Sequence, residues 1–132
     1  MAGIAFANVG LGMAHGISHA LGGMFNTGHG LANAIALPYV LKYNSQDEQV
    51  KNKLDILAKR IGSENFIESV KELNIKLNIP VSIKALGIKL DDFNSSLEVL
   101  VSNSLKGATK VNPIPITKES MRELLINMYN GF

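Results

Sequence analysis

The sequence has no cysteine and no tryptophan, and none of its first 41 residues carries a charge. The absence of cysteine excludes disulfides and thiolate metal sites, and it agrees with the reducing conditions of the cytoplasm. A net charge of +2 and an aromatic content of 6% do not suit a nucleic-acid-binding surface, which needs basic clusters and stacking rings. We therefore expect a cytoplasmic protein that binds no nucleic acid.

The charge-free segment, residues 1–41, raises the question of a membrane span, because about 18 consecutive apolar residues suffice for one. Its composition argues against a span, since it contains eight glycines, three histidines and three asparagines. No basic region precedes the segment and no signal-peptidase-like site follows it. We expect instead a pair of deeply buried helices and no contact with a membrane.

The apolar residues follow helical spacing over most of the chain, and only Ile79 to Ile83 approaches the alternation of a strand. A length of 132 residues and an apolar content of 46% fit one domain. The sequence therefore predicts an all-α helical bundle of one domain. Helices are expected over about 5–24 and 31–43, and then from Asp47, from Ser63, from Asp91 or Asp92, and from Thr117.

Single residues predict where these helices begin, bend and end. Pro38 is expected to kink or restart the second helix, Gly62 to end the third, and Ser63 to cap the fourth. The inward apolar stripe of the fourth helix is predicted to be Phe66, Ile67, Val70, Leu73 and Leu77, and that of the last helix Met121, Leu124, Leu125 and Met128. Residues 81–89 are expected to be irregular and 107–115 to form a loop.

The three histidines of the chain, His15, His19 and His29, all lie in the charge-free segment. Burying an imidazole there is costly unless its nitrogens find partners. His15 and His19 are four residues apart and therefore share one face of a helix. Spacing alone leaves three interpretations open: buried and hydrogen-bonded histidines, a metal site, or acid–base chemistry without a metal.

The residues around the histidines carry a longer pattern. It comprises the opening AGIAFANVGLGMAH from Ala2 to His15, the pair His15-x-x-x-His19, His29-Gly30, and Leu31-Ala-Asn-Ala followed by Leu37-Pro38. This pattern resembles the C-terminal signature of iron-containing (group III) alcohol dehydrogenases, and a looser likeness continues to the end of the chain. The resemblance implies the C-terminal part of the dehydroquinate synthase-like helical domain of that family.

The resemblance also implies roles for individual residues. His15 and His29 match two metal-ligating positions of the family. His19 matches a histidine beside the metal, close to the nicotinamide, that takes part in proton transfer. Phe6 matches an aromatic position at the substrate pocket, and Ala108 falls in a loop that approaches the same pocket.

The reaction implied by the resemblance is the interconversion of a primary alcohol and an aldehyde or related carbonyl. Fe(II), with Zn(II) as a possible substitute, polarises the substrate oxygen while hydride moves to or from NAD(P). A neutral histidine close to that oxygen is suited to relay its proton.

Members of the family complete the metal site with an Asp and a His, spaced D-x-x-x-H, on a helix upstream of this pattern, and they carry an N-terminal nucleotide-binding domain. This sequence has no histidine before His15 and no acidic residue before Asp47. We therefore expect residues 1–132 to be a partial, C-terminal helical domain. Alone, it is expected to bind iron weakly, to be inactive, and to associate with itself through a first helix that has lost its neighbours.

Two other hypotheses remain at this stage. The chain is either a non-catalytic helical oligomerisation module with a vestigial metal site, or a metal binder whose site is assembled between two copies from His15, His19 and His29.

Overall fold

A computed structural model describes residues 11–26, 28–106 and 116–131, and within these ranges every regular element is helical. The all-α prediction is confirmed. The helices are α1 Leu11–Phe25, α2 His29–Asn44, α3 Glu48–Arg60, α4 Phe66–Lys76, α5 Leu90–Ser104 and α6 Lys118–Asn130, with one 3-10 turn at Lys84–Leu86.

Helix α1 lies at the centre of the main core, packed against α2 on one side and α5 on another. Its residues Met13, Ile17 and Leu21 are completely buried, as are Ala32 and Val40 of α2, so the predicted burial of the first two helices is confirmed for their inward sides. The expectation that α1 has lost its neighbours is wrong for its apolar side, which α2 and α5 of the same chain cover. Packing of this kind offsets the weak helix propensity of a glycine-rich segment.

Helix α2 runs through Pro38 without interruption. A proline has no N–H, so the carbonyl of Ala34, four residues earlier, loses its helical donor. The side chain of Asn74 on α4 supplies the replacement, because its Nδ2 donates to the Ala34 oxygen at 2.9 Å. This bond explains why a buried asparagine faces α2 and why Pro38 does not end the helix.

A second, smaller core joins α2 to the α3–α4 hairpin. Leu41, Val50 and Leu54 are buried in it, with Phe66, Ile67 and Val70 packed against them. Asp47 caps α3 by accepting from the Val50 N–H at 3.2 Å. The cap of α4 is Asn65, whose Oδ1 accepts from Glu68 N–H at 3.2 Å, so the prediction of Ser63 as the cap is wrong.

Only the first half of the predicted stripe of α4 is covered. Leu73 and Leu77 remain 54% and 60% exposed, whereas the inward position at this end of the helix is held by Asn74. The periodicity of α4 therefore continues beyond the surface that the described part of the chain buries. Ile61 on the preceding turn is also exposed.

Residues 81–89 are irregular apart from the 3-10 turn, as predicted, and hydrogen bonds hold them against the bundle. The Tyr39 hydroxyl donates to the carbonyl of Val81, and the Tyr129 hydroxyl donates to the carbonyl of Ile88 at 2.9 Å. The Ile83 N–H donates to the Met128 carbonyl at 2.8 Å. The segment thus passes α2 at Tyr39 and the end of α6. Helix α5 then begins at Leu90, one or two residues before the predicted Asp91 or Asp92.

Helix α6 agrees with its prediction. Thr117 caps it by accepting from the Ser120 N–H at 3.1 Å. The four predicted inward residues are buried: Met121, Leu124, Leu125 and Met128. The loop expected over 107–115 lies outside the described residues. Among the helices that the structure describes, none combines the length and apolar character needed to cross a membrane.

Candidate functional site

The candidate site lies on the one side of α1 that does not face the core. His15 is half-buried and His19 is exposed, and Gly22 and Gly23 continue the same side toward the end of the helix. Successive positions at spacings of three and four residues lie on one face of a helix. We call these four residues the histidine stripe.

The opposite side of α1 explains why the stripe faces outward. Ala14, Ile17, Ser18 and Leu21 are fully buried there, so the packing of α1 on α2 and α5 fixes the rotation of the helix about its axis. With that rotation, the two imidazoles point away from the aliphatic core. His19 is therefore not a buried histidine, and His15 is only partly buried.

Among the described residues, the space beside Gly23 is open. A Cβ atom added to Gly23 would meet no atom within 4 Å, and the backbone there is not in the left-handed region. A glycine inside a helix lowers its stability by about 1 kcal/mol relative to alanine. Nothing within the described residues requires this glycine, and they leave room beside Gly23 for another group.

His29 is the first residue of α2, directly after the turn that joins the two helices. Its backbone is described, and its side chain lies outside the described part of the structure. Gly28 precedes it as the N-cap, with no side-chain cap on the helix, and its carbonyl accepts from the Ala32 N–H at 2.9 Å. The first N–H groups of α2 are therefore exposed beside the turn.

The donors in the described part of the chain form an incomplete set for a metal ion. His15 and His19 contribute two imidazoles on one face, and no group of three or more His, Asp or Glu side chains able to hold a metal occurs among the described residues. Imidazole nitrogens suit Fe(II) or Zn(II), and the non-haem iron sites of this type add a carboxylate. The two imidazoles therefore fit part of the coordination shell of an iron or zinc ion, and the described residues do not complete it.

The two candidate substrate-pocket residues, Phe6 and Ala108, both lie outside the described residues. The structure therefore brings together two of the five predicted site residues, His15 and His19. It adds Gly22 and Gly23 to them. The signal for these glycines in the sequence is their spacing of seven and eight residues from His15.

Two cavities of the described structure lie away from the histidine stripe. A groove of about 830 Å³ opens between α2, α4 and α6 and is lined by residues that include Tyr39, Lys42, Lys71 and Glu123. A pocket of about 190 Å³ lies on the other side of Tyr39 and Lys71. Neither is lined by a residue of the histidine stripe, so neither is part of the candidate site.

The family model of the Fe-containing alcohol dehydrogenases, C-terminal part, matches residues 1–129. The chain is 35% identical to alcohol dehydrogenase 4 of Saccharomyces cerevisiae, over 98% of this chain and 34% of the yeast protein. It is 35% identical to the NADPH-dependent butanol dehydrogenase of Clostridium saccharobutylicum, over 99% of this chain and 36% of that protein. It is 32% identical to the lactaldehyde reductase of Escherichia coli, over 94% of this chain and 34% of that protein.

Solved structures agree with these relatives. The iron-containing alcohol dehydrogenase of Thermococcus thioreducens matches with a TM-score of 0.81 at 29% identity, over 91% of this chain and 32% of that one. The iron-containing alcohol dehydrogenase of Corynebacterium glutamicum matches with a TM-score of 0.74 at 30% identity, over 90% of this chain and 32% of that one. The chain spans about a third of the length of the curated relatives that it matches.

Proposed function

The chain belongs to the iron-containing alcohol dehydrogenase family, and from this premise we propose that it is the C-terminal portion of an iron-dependent, NAD(P)-linked enzyme that interconverts a primary alcohol and an aldehyde. The observation that carries the proposal is the histidine stripe. Two imidazoles on an otherwise charge-free helix face away from the core, beside a glycine that leaves room for a neighbour.

In this proposal His15 and His29 are the two metal ligands that the chain contributes. A bound Fe(II), or Zn(II) in its place, supplies Lewis acidity to the substrate oxygen. The described residues present His15 from a rigid helix whose rotation is set by the core, which suits a ligand that must keep its direction. The remaining ligands, a carboxylate and a further imidazole, are assigned to other parts of the enzyme, because residues 1–10 and 107–115 contain no His, Asp or Glu.

His19 is proposed to relay the proton of the substrate hydroxyl. It lies one turn from His15 on the same face and is more exposed, so its ring is accessible to substrate and to water. Its position also suits contact with the nicotinamide of NAD(P). Phe6 and Ala108 are proposed to contact the alcohol, on the resemblance of their sequence positions alone.

The proposal also includes the cellular location and the oligomeric state of the protein. The lack of cysteine supports a cytoplasmic location, and exposed apolar side chains support a homo-oligomer. The glycines of the chain form no strand–GxGxxG–helix unit, so binding of the dinucleotide is assigned to other parts of the enzyme.

A chimera tests the function, with this chain replacing the matching C-terminal third of yeast alcohol dehydrogenase 4. We expect alcohol-dependent formation of NAD(P)H. His15→Ala should lose both metal and activity, whereas His19→Ala should keep the metal and lower kcat by a factor on the order of 10² to 10⁴. Lys53→Ala, an exposed change on α3, is the control.

The outcomes separate the parts of the proposal. A folded, metal-loaded chimera without activity would reject the dehydrogenase function. An unchanged kcat in His19→Ala would reject the proton relay alone. Metal content measured by atomic emission, beside the kinetics, distinguishes the two results.

The alternative is a non-catalytic helical module with a vestigial site. Calorimetric titration of the 132-residue chain with Fe(II) and Zn(II) addresses it. Weak or absent uptake together with an active chimera supports the proposed function, whereas absent uptake with an inactive chimera supports the module. Tight uptake that is lost in His15→Ala indicates a site assembled between two copies.

A further inference from the structure

The smaller of the two cavities is an apolar pocket between α2, α4 and the segment that follows α4. Its volume is about 190 Å³, and the apolar residues of its wall are Ile35, Pro38, Ile75, Pro80 and Val81. An apolar protein cavity of about 150 Å³ is large enough to bind benzene. This pocket therefore has room for about six carbon atoms of a ligand.

The polar groups in the wall of this pocket hold its sides together. The Tyr39 hydroxyl donates to the carbonyl of Val81, and the Asn74 amide donates to the carbonyl of Ala34 at 2.9 Å. The two prolines of the wall have no N–H to offer. The pocket is therefore preformed, and its interior favours the apolar part of a ligand over water.

A lysine lies at the border between the pocket and the larger groove. Lys71 lines both cavities. Its side chain is only 23% exposed, whereas that of its ion-pair partner Glu68 is 59% exposed. An ammonium group carries three N–H donors, so Lys71 can bind a ligand oxygen in addition to the Glu68 carboxylate at 3.0 Å. A positive charge thus lies beside an apolar compartment.

The groove on the other side of Lys71 is polar. The charged residues in its wall are two cations, Lys42 and Lys71, and one anion, Glu123. Amide and hydroxyl groups are added by Gln46, Ser120 and Asn127. This balance favours an anionic head group over a cationic one, and the volume of about 830 Å³ lets such a group keep part of its hydration.

We propose that the pocket and the groove together bind a straight-chain aliphatic carboxylate of about six carbons, with its tail in the pocket and its carboxylate against Lys71. Burial of the hydrocarbon tail supplies affinity, and the charge-assisted hydrogen bond to Lys71 selects the head group. Neither cavity is lined by a residue of the histidine stripe, so this is a second binding site, separate from the candidate metal site.

Titration of the 132-residue chain with hexanoate, followed by NMR, tests the site. For a ligand of this size we expect a Kd on the order of 1 mM, with saturable shifts of the methyl signals of Ile35, Ile75 and Val81. Acetate, which lacks the tail, and 1-hexanol, which lacks the charge, should each bind about tenfold more weakly or worse. Absence of saturable binding, or equal affinity for hexanoate and 1-hexanol, overturns the proposal.

Substitutions on α4 test the role of Lys71. Lys71→Met keeps an apolar stem and removes the charge, so it should weaken hexanoate binding by about tenfold or more and leave 1-hexanol binding unchanged. Glu68→Gln should strengthen hexanoate binding, because it removes a carboxylate that competes for Lys71. The matched control is Lys76→Met, an exposed position of the same helix that lines neither cavity. Thermal melting checks that each variant is folded, and hexanoate binding that survives Lys71→Met unchanged contradicts the proposal.

A series of tail lengths tests the pocket itself. From butanoate to hexanoate the affinity should rise about three- to fourfold with each methylene, and from octanoate to decanoate it should level off, because the pocket is then full. An affinity that keeps rising would show that the tails adsorb to exposed apolar surface, and would overturn the site. His15→Ala should bind hexanoate like the original chain, so the result does not depend on the dehydrogenase function.

Discussion

At the scale of single residues, the two imidazoles of α1 differ in exposure although they share one face. His15 is half-buried against its neighbours and His19 is exposed. A ligand gains from restricted motion, whereas a proton relay needs access to substrate and solvent. The difference in exposure therefore agrees with the division of roles proposed for them.

Gly23 gives a prediction that separates stability from function. Gly23→Ala should raise the free energy of unfolding by about 0.5–1 kcal/mol, because alanine has the higher helix propensity and the added Cβ meets no atom. Urea denaturation of the 132-residue chain measures it. In the active chimera we predict that the same change lowers activity, because we expect another part of the enzyme to pack against this face of α1.

Gly62 is the matched control for that prediction. An added Cβ there also meets nothing within 4 Å, but its φ is +71°. Gly62→Ala should therefore lower the free energy of unfolding by about 1 kcal/mol or more, purely from backbone strain. If both variants shift stability in the same direction, helix propensity and backbone conformation are not the cause.

At the scale of elements, the contact between α2 and α4 includes a hydrogen bond that replaces the helical one lost at Pro38. The Ala34 carbonyl accepts from Asn74 because Pro38 offers it no N–H. Asn74→Ala should lower the free energy of unfolding by about 1–3 kcal/mol, since it leaves a carbonyl without a donor.

A double-mutant cycle with Pro38→Ala identifies the mechanism. Alanine at position 38 restores the helical N–H, so Asn74→Ala should cost at least about 1 kcal/mol less in that background. Urea denaturation of the four proteins measures the coupling. Equal losses in the two backgrounds would show that Asn74 stabilises the bundle by packing and not by this hydrogen bond.

At the scale of the whole molecule, the core and the histidine stripe lie on opposite sides of α1. Met13, Ile17 and Leu21 pack inward, and the histidine stripe faces outward. The aliphatic core therefore needs no metal to hold α1 between α2 and α5. We therefore predict that folding of the chain does not depend on assembly of the metal site.

The corresponding prediction concerns metal removal. A chelator should leave the melting temperature of the 132-residue chain unchanged, and the isolated chain should form no NAD(P)H from a primary alcohol. Circular dichroism with and without EDTA and a standard absorbance assay check the two parts. A melting temperature that falls by several degrees on chelation would contradict the separation of core and site.

Part of the fold followed from local pattern. The positions of α3 and α6, their caps Asp47 and Thr117, and the inward face of α6 were predictable, because caps and apolar spacing act within one or two helical turns. The choice of Asn65 over Ser63 as the cap of α4 was not predictable from the sequence. Both residue types are suitable caps, and hydrogen bonds with neighbouring groups decide between them.

The sequence by itself determined the helical class, the family, and the pairing of His15 and His19 on one face, because these depend on residue type and spacing along the chain. It also determined that the first helices are buried, since 41 residues without a charge have little to hold them in water. Only the tertiary structure decided which side of α1 faces outward, that Asn74 completes the helix at Pro38, and that Leu73 and Leu77 remain exposed. Each of these features depends on which helix, distant in sequence, packs against a given residue. The local spacing of residue types along the chain carries no information about such contacts.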